Sequence, residues 1–293
     1  MKKIDKVFIV GGTHGNEQIG AFLVENLSKE LVKNQFSFPV ETLVANPKAV
    51  KRKIRYIDAD LNRLFKTKEL ENIDKSTYEN ERARVINNII GPKGDNNNFL
   101  IDLHTTNANM GVTIMTPQQD PFQLNMLKYI ADNVDDVNIY FSKMSNDRPS
   151  LNSVTNGSFL IEVGPVANNT LQADVYFVMK SLVHHALEFI DKYEVEELAL
   201  DMNLELEGYQ SAGPIPYPRD EEGNLMGMIH PNIQGQDLKK VLKKGDPIFK
   251  LFTGEDVLFD REGEYLMAFI NESAYYVENV AFYLIDKVKV SCR

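Results

Sequence analysis

Apolar residues gather first in a short unbroken run, Val7 to Val10, which ends at Gly11-Gly12-Thr13-His14-Gly15-Asn16-Glu17. A run that short, stopped by glycines, predicts a buried strand over residues 5–10 and a loop after it. Ile19, Phe22, Leu23, Leu27 and Leu31 then recur at helical spacing and predict a helix over 17–33. Val40 to Ala45 predicts a second strand, stopped by Asn46-Pro47, and residues 77–90 predict a helix. Phe99 to His104 is the next strand, 105–109 a loop, and Val112 to Met115 a further strand. A helix follows over 121–133, and Ser158 to Val163 is a strand stopped by Gly164-Pro165. Residues 170–194 predict a long helix. Tyr56 to Arg63 has no clear period and reads as a loop; residues 143–157, polar with Pro149 and Gly157, read as a mobile loop.

Strand and helix alternate up to about residue 200, which favours an α/β fold with a mostly parallel sheet and helices on both faces. Beyond that point helical periodicity fades. Short β-prone pieces recur, such as Ile215-Pro216-Tyr217-Pro218 and Val257-Leu258-Phe259. The expected division is residues 1–200 and a smaller β-rich domain over 201–293. Ligands of parallel sheets bind beyond the carboxyl ends of the strands. His14, His104 and Glu162 all fall at or just after predicted strand ends.

Composition narrows the function. With 293 residues, 43% hydrophobic and 25% charged, the chain is an ordinary globular protein. Its net charge of −10 argues against a nucleic-acid partner, because phosphate contacts need clustered Lys and Arg. No run approaches the roughly 20 apolar residues of a membrane span, and Met1-Lys2-Lys3-Ile4-Asp5 shows no signal-peptide pattern. Cys292 is the sole cysteine, which excludes an internal disulfide and fits a cytoplasmic location. A homo-oligomer is compatible with the sequence.

The chemistry lies in residues of few types. His14 and Glu17 are three apart, so one turn can aim imidazole and carboxylate at one point. His104 would complete a His₂Glu set, the donor pattern of a catalytic zinc that keeps a position for water. Glu162 is then the spare carboxylate that a metal-assisted hydrolysis needs to carry a proton from water to a leaving amine. Asp102 could orient His104 or point elsewhere. Arg55 and Arg63 offer guanidinium forks for a carboxylate or a developing oxyanion. The plain alternatives are a Gly-rich turn with a chance histidine and, for Lys48 to Lys53, a solvated basic face. His184 and His185 read as surface or structural, His230 as a loop residue, and Met110, Met115 and Met126 as core filler.

The motifs Gly11 to Glu17, Asn46 to Lys51, Arg55 to Arg63, Asp102-Leu103-His104 and Ile161-Glu162-Val163-Gly164-Pro165 occur in one order. Tyr217-Pro218-Arg219-Asp220, His230-Pro231-Asn232 and Asn271-Glu272-Ser273-Ala274-Tyr275-Tyr276 continue it. Together they resemble the aspartoacylase branch of the aspartoacylase and succinylglutamate desuccinylase family over nearly the whole chain. The resemblance implies a zinc-carboxypeptidase-like α/β domain with a C-terminal β domain capping the site. It implies hydrolysis of an N-acyl amino acid, with one Zn²⁺ per subunit on His14, Glu17 and His104. Glu162 would be general base and acid, and Arg55 would polarise the scissile carbonyl. Asn62 and Arg63 would hold the α-carboxylate, and Tyr275 would close the site.

Aspartoacylases that act on N-acetylaspartate carry an arginine shortly before the catalytic glutamate. Asn152 stands there in this chain, with Arg148 close by, and Asn279 lies near the place of a lysine past the paired tyrosines. The sequence reading is a zinc amidohydrolase of N-acyl-L-aspartate, with the N-acetyl form as first choice and Arg148 as substitute contact to the second carboxylate. Its rivals are a deacylase of neutral or aromatic N-acyl amino acids, a carboxypeptidase-like peptidase, and a metal-dependent binding module without turnover.

Overall fold

The computed structural model describes residues 3–30, 35–145 and 147–292. The first apolar run forms β1 (Val7–Gly11), buried throughout, and α1 (Gln18–Glu30) follows. Leu31 and the expected end of that helix lie outside the described residues. Ile19, Leu23 and Leu27 are buried, but Phe22 is 41% exposed. The buried arc of α1 is centred on Gly20, Leu23 and Leu27, which turns Phe22 out to the rim.

After β2 (Val40–Val44) the basic stretch forms a helix the sequence pattern did not announce, α2 (Pro47–Arg52). Six residues are too few to show a period. Its signals are in the caps: the Asn46 side chain accepts from the Ala49 amide at 3.2 Å, and Lys53 closes the helix in the left-handed region. A second short helix, α3 (Thr67–Glu71), precedes α4 (Tyr78–Ile90). Then come β3 (Phe99–Thr105), β4 (Gly111–Thr116), α5 (Pro121–Asn133), β5 (Val137–Phe141), β6 (Gly157–Gly164) and α6 (Ala173–Glu194). Strand β5 was not anticipated, being five residues set directly behind a helix.

The expected mobile loop is held by the core instead. Leu151 and Val154 are fully buried, and the Leu151 amide donates to Asn62 Oδ1 at 2.8 Å. Two apolar anchors and a buried hydrogen bond override the polar composition. Asn146 lies outside the described residues.

The second part contributes β7 (Glu205–Pro216), β8 (Gly227–Ile229), β9 (Leu242–Lys243), β10 (Pro247–Leu251), β11 (Asp256–Leu258), β12 (Glu264–Ala268) and β13 (Val280–Ser291). A ten-stranded sheet runs β2-β1-β3-β6-β4-β5-β7-β13-β12-β9, and β11-β10-β8 form a second sheet. The large sheet is mixed: β2, β1, β3 and β6 are parallel, β4 is antiparallel to β6, and β13 is antiparallel to β7 and β12. It passes without a gap across residue 200, because β5 pairs with β7 at Tyr140 and Tyr209.

Alternation along the strands sorts two cores. Val7, Ile9, Phe99, Ile101, Phe159 and Ile161 pack under α1, α5 and α6. Phe8, Val10 and Leu100 pack with Ala83, Ile86 and Ile90 of α4 on the opposite face. The same alternation puts Asp102, His104 and Glu162 on the α4 side. Fully burying one such phenylalanine contributes about 1.5–3 kcal/mol, so register slips that would expose either row are strongly disfavoured.

Candidate active site

The site forms where the carboxyl ends of β1, β3 and β6 come together. The loop after β1 is pressed against α2. A Cβ added to Gly15 would stand 2.1 Å from the Ala49 carbonyl carbon, so only glycine permits that approach. The Gly15 amide donates to the Arg55 carbonyl at 3.1 Å, tying the His14 loop to the Arg55 loop.

His14 Nδ1 lies 2.6 Å from Glu17 Oε1, and His104 Nδ1 lies 2.9 Å from Glu17 Oε2. The ligand-type atoms of these three buried residues all fall within 4.8 Å of one another. The far nitrogens are held as well. His14 Nε2 meets Asp60 Oδ1 at 3.1 Å, and His104 Nε2 meets Asp102 Oδ2 at 3.0 Å. Asp102 is fully buried, and its other oxygen accepts from the Thr13 hydroxyl at 2.9 Å. Two residues apart on a strand share a face, which settles where Asp102 points. Each imidazole thus presents Nδ1 inward with a carboxylate behind it, the usual arrangement around a metal-binding histidine.

Charge makes the same point. Burial pushes Glu17 up, but the facing His14 and His104 outweigh it and hold Glu17 well below the usual carboxylate range. Burial alone would depress His104; Asp102 and Glu17 raise it well above its ordinary value. Asp60, raised by burial, is pulled far down by its hydrogen bond to His14 and by Arg55. Glu17, Asp60 and Asp102 around two imidazoles favour a positive charge between them. Two imidazole nitrogens and a carboxylate oxygen suit a borderline divalent cation, which would supply that charge by displacing protons.

Glu162 stands in register with His104 on the neighbouring strand and points to the same face. Burial pushes its carboxyl well above the usual range; His104 and Arg55 draw it partly back, while Glu17 and Glu272 push it further. Arg55 donates from Nε and Nη2 to Asp60 Oδ2 at 3.2 and 3.0 Å, and its Nη1 lies 3.6 Å from Glu17. Asn62 Oδ1 accepts from the Leu151 amide, and among the described residues its NH₂ has no partner and can donate into the cavity. Burial pushes the Tyr275 phenol well above its ordinary value, and the nearby Glu162 adds to this, so it remains a neutral donor.

His14, Glu17, Arg55, Asn62, Arg63, His104, Glu162 and Tyr275 all line one cleft of about 490 Å³, open solvent at its mouth included. Arg148 does not line it: its Nη1 donates to Asn152 Oδ1 at 3.3 Å. Met115, read as core filler, lines the cleft with Leu160 and Phe269; Met110 and Met126 are buried as expected. His184 is exposed on α6; with His185 and Glu188 it forms a second ligand-like group, but Lys192 already holds Glu188 at 2.9 Å.

Three carboxylates escaped the sequence reading. Asp60 sits 46 positions from His14, inside a segment without periodicity. Glu79, buried in α4, accepts from the Ile57, Asp58 and Ala59 amides at 2.7, 2.9 and 3.2 Å and so shapes the arginine loop. Glu272 caps the turn that carries Tyr275 and accepts from the Asn107 amide at 3.0 Å and from the Thr106 hydroxyl. The available signal was acidic residues inside otherwise apolar or helix-capping contexts.

Comparison with known proteins agrees with this geometry. The succinylglutamate desuccinylase/aspartoacylase catalytic domain matches residues 3–190, and the AstE/AspA barrel-sandwich hybrid domain matches 204–287. A probable aspartoacylase of Trichodesmium erythraeum is 39% identical, covering 99% of both chains. An N-acyl-aromatic-L-amino acid amidohydrolase (carboxylate-forming) of Xenopus tropicalis is 37% identical, over 97% of this chain and 93% of that one. The crystal structure of murine aminoacylase 3 superposes with a TM-score of 0.89 at 32% identity, covering 99% and 97% of the two chains. The chain therefore belongs to the succinylglutamate desuccinylase/aspartoacylase family of amidohydrolases.

Proposed function

We propose that this protein is a zinc-dependent deacylase that cleaves N-acyl-L-amino acids to a carboxylate and the free amino acid, and that it prefers uncharged or aromatic side chains. The convergence of His14, Glu17 and His104 within 4.8 Å, with Glu162 one strand away, carries the hydrolytic part. These three residues would hold the metal, which when bound supplies Lewis-acid polarisation and acidifies water. Glu162 takes a proton from the attacking water and returns it to the departing amine; its raised affinity for protons suits both halves of the task. Arg55 donates to the carbonyl oxygen as charge develops there. Asn62 and Arg63 hold the α-carboxylate, and Tyr275 closes the cleft from the C-terminal side. The division near residue 200, with the β-rich part capping the catalytic part, belongs to the same proposal, as does a cytoplasmic location. Among the described residues, no helix is long and apolar enough to cross a membrane.

The side-chain preference follows from charge. Arg55 and Arg63 are the cations lining the cleft, and both have tasks; the rest of its wall includes Met115, Leu160 and Phe269, with Glu272 adding negative charge. Among the described residues lining the cleft, a second substrate carboxylate finds no further cation. N-acyl-L-aspartate, the first choice from sequence, remains the second reading because of Arg148. Among the described residues no carboxylate pairs with that guanidinium, and it already reaches Asn152. Hydrolysis of N-acetyl-Asp, N-acetyl-Glu, N-acetyl-Leu and N-acetyl-Phe by zinc-loaded protein separates the two. Higher kcat/KM for the Leu or Phe substrate supports the first reading; higher values for Asp restore the second. Absence of hydrolysis across the panel rejects both.

A further inference from the structure

The guanidinium assigned to the substrate's α-carboxylate is already in contact with a carboxylate of the chain. Arg63 donates from Nε at 3.3 Å and from Nη2 at 3.0 Å to one oxygen of Glu278, Oε1. Its remaining nitrogen, Nη1, reaches the Asn62 carbonyl at 3.4 Å. The two donors that a carboxylate guest would take side by side are thus engaged by a side chain. Glu278 can leave without unfolding anything. Its side chain is 47% exposed, so rotation carries it into solvent.

The backbone beneath it is fixed. The Glu278 amide donates to the Tyr275 carbonyl at 3.1 Å. The next residue, Asn279, adopts a left-handed conformation and accepts from Arg219 Nε at 2.6 Å. Arg219 in turn stacks over the Tyr276 ring at 5.6 Å. A held backbone with a free side chain is the arrangement of a local occupant rather than of a moving lid.

We infer that Glu278 is a displaceable stand-in for the substrate's α-carboxylate: it holds the Arg63 fork oriented in the free protein and yields that fork when substrate arrives. This rests on the proposed assignment of Arg63 to the α-carboxylate. Three consequences follow. Every substrate that uses Arg63 must first break the ion pair, so Glu278 raises KM without touching the reacting atoms. The displaced carboxylate stays near the mouth and opposes a guest with a second negative charge more than a neutral one. Pre-orientation offsets part of the competition, because the fork need not be ordered at the moment of binding.

The test is steady-state kinetics of the zinc-loaded protein and its Glu278→Gln variant. Substrates are N-acetyl-Phe, N-acetyl-Asp and N-acetyl-phenylalaninamide, which lacks the α-carboxylate. Exposed ion pairs contribute about 0.2–1 kcal/mol, so KM for N-acetyl-Phe should fall about 1.5- to 5-fold. The effect should be confined to KM, be larger for N-acetyl-Asp, and be absent for the amide. In an Arg63→Ala background the substitution should change nothing, since the fork it competes for is gone. An unchanged or higher KM for N-acetyl-Phe in active Glu278→Gln protein overturns the stand-in role alone. An equal fall for the amide overturns it too, since the effect would then not pass through the α-carboxylate. Failure of the unsubstituted protein to hydrolyse any of the substrates overturns the functional reading, and this inference with it.

Discussion

The line from Thr13 through Asp102 to His104 makes a measurable claim about metal affinity. Asp102→Asn keeps size and shape, and the new side chain can still accept from the Thr13 hydroxyl through its oxygen. It loses the negative charge 3.0 Å from His104 Nε2. A hydrogen bond involving a charged partner contributes about 1.5–3 kcal/mol. Loss of a carboxylate behind a metal-binding histidine weakens binding about 10- to 100-fold, which is about 1.4–2.7 kcal/mol. The two estimates agree, because the same contact sets both. The expected outcome is a 10- to 100-fold rise in the dissociation constant for Zn²⁺, read by competition with a chromophoric chelator at fixed pH. Thermal unfolding of the metal-free protein serves as control. If the variant folds and binds zinc within twofold of the original, Asp102 does not orient the ligand, and the metal role of His104 loses its support.

Glu162→Gln should retain zinc affinity within a few-fold yet lower kcat by about 10² to 10⁴; full turnover in that variant would remove Glu162 from the proton transfers. Gly15→Ala forces a Cβ to within 2.1 Å of the Ala49 carbonyl carbon, so the urea midpoint should drop by the equivalent of about 1–3 kcal/mol or more, and an unshifted midpoint would contradict the packing described. Asp237 is pushed up to about 6 by burial, although the Ile270 and Asn109 amides pull it back. A carboxyl raised on folding favours the folded state while protonated. Its contribution is therefore full below about pH 4 and is lost as pH rises through 6. Asp237→Asn should flatten that decline, on the order of 3 kcal/mol in the wild-type-minus-variant difference between pH 4 and 7; parallel stability curves would show that Asp237 does not titrate in this way.

That the residues of the candidate site would converge could be read from sequence because they obey local rules. His14 and Glu17 share a turn, and His104 and Glu162 end strands whose apolar runs are unmistakable. The helix over 121–133 was placed correctly because proline opens it and an apolar stripe sustains it. What local rules omit is long-range pairing. Nothing near Asp60 points to His14, and nothing in the pattern of α4 says that Glu79 closes over the 57–59 amides. The segment 143–157 misled through composition: two buried apolar residues, Leu151 and Val154, outweigh ten polar neighbours. Helix α2 was hidden for the opposite reason, since caps rather than periodicity define it. Arg148 was expected at the substrate and lies against Asn152 instead; a residue's neighbours along the chain say little about which wall of a cavity it joins.

The register that sets His104 opposite Glu162 has a dynamic consequence. Strands β3 and β6 are interior to the sheet, each paired on both sides. Moving Glu162 away from His104 by backbone motion means unzipping the middle of a ten-stranded ladder, an opening as rare as global unfolding. Amide protons of both residues should therefore exchange among the slowest in the protein, whether or not an ion is bound. On the proposed assignment, an arriving ion would find Glu162 already beside His104, with only side chains left to arrange.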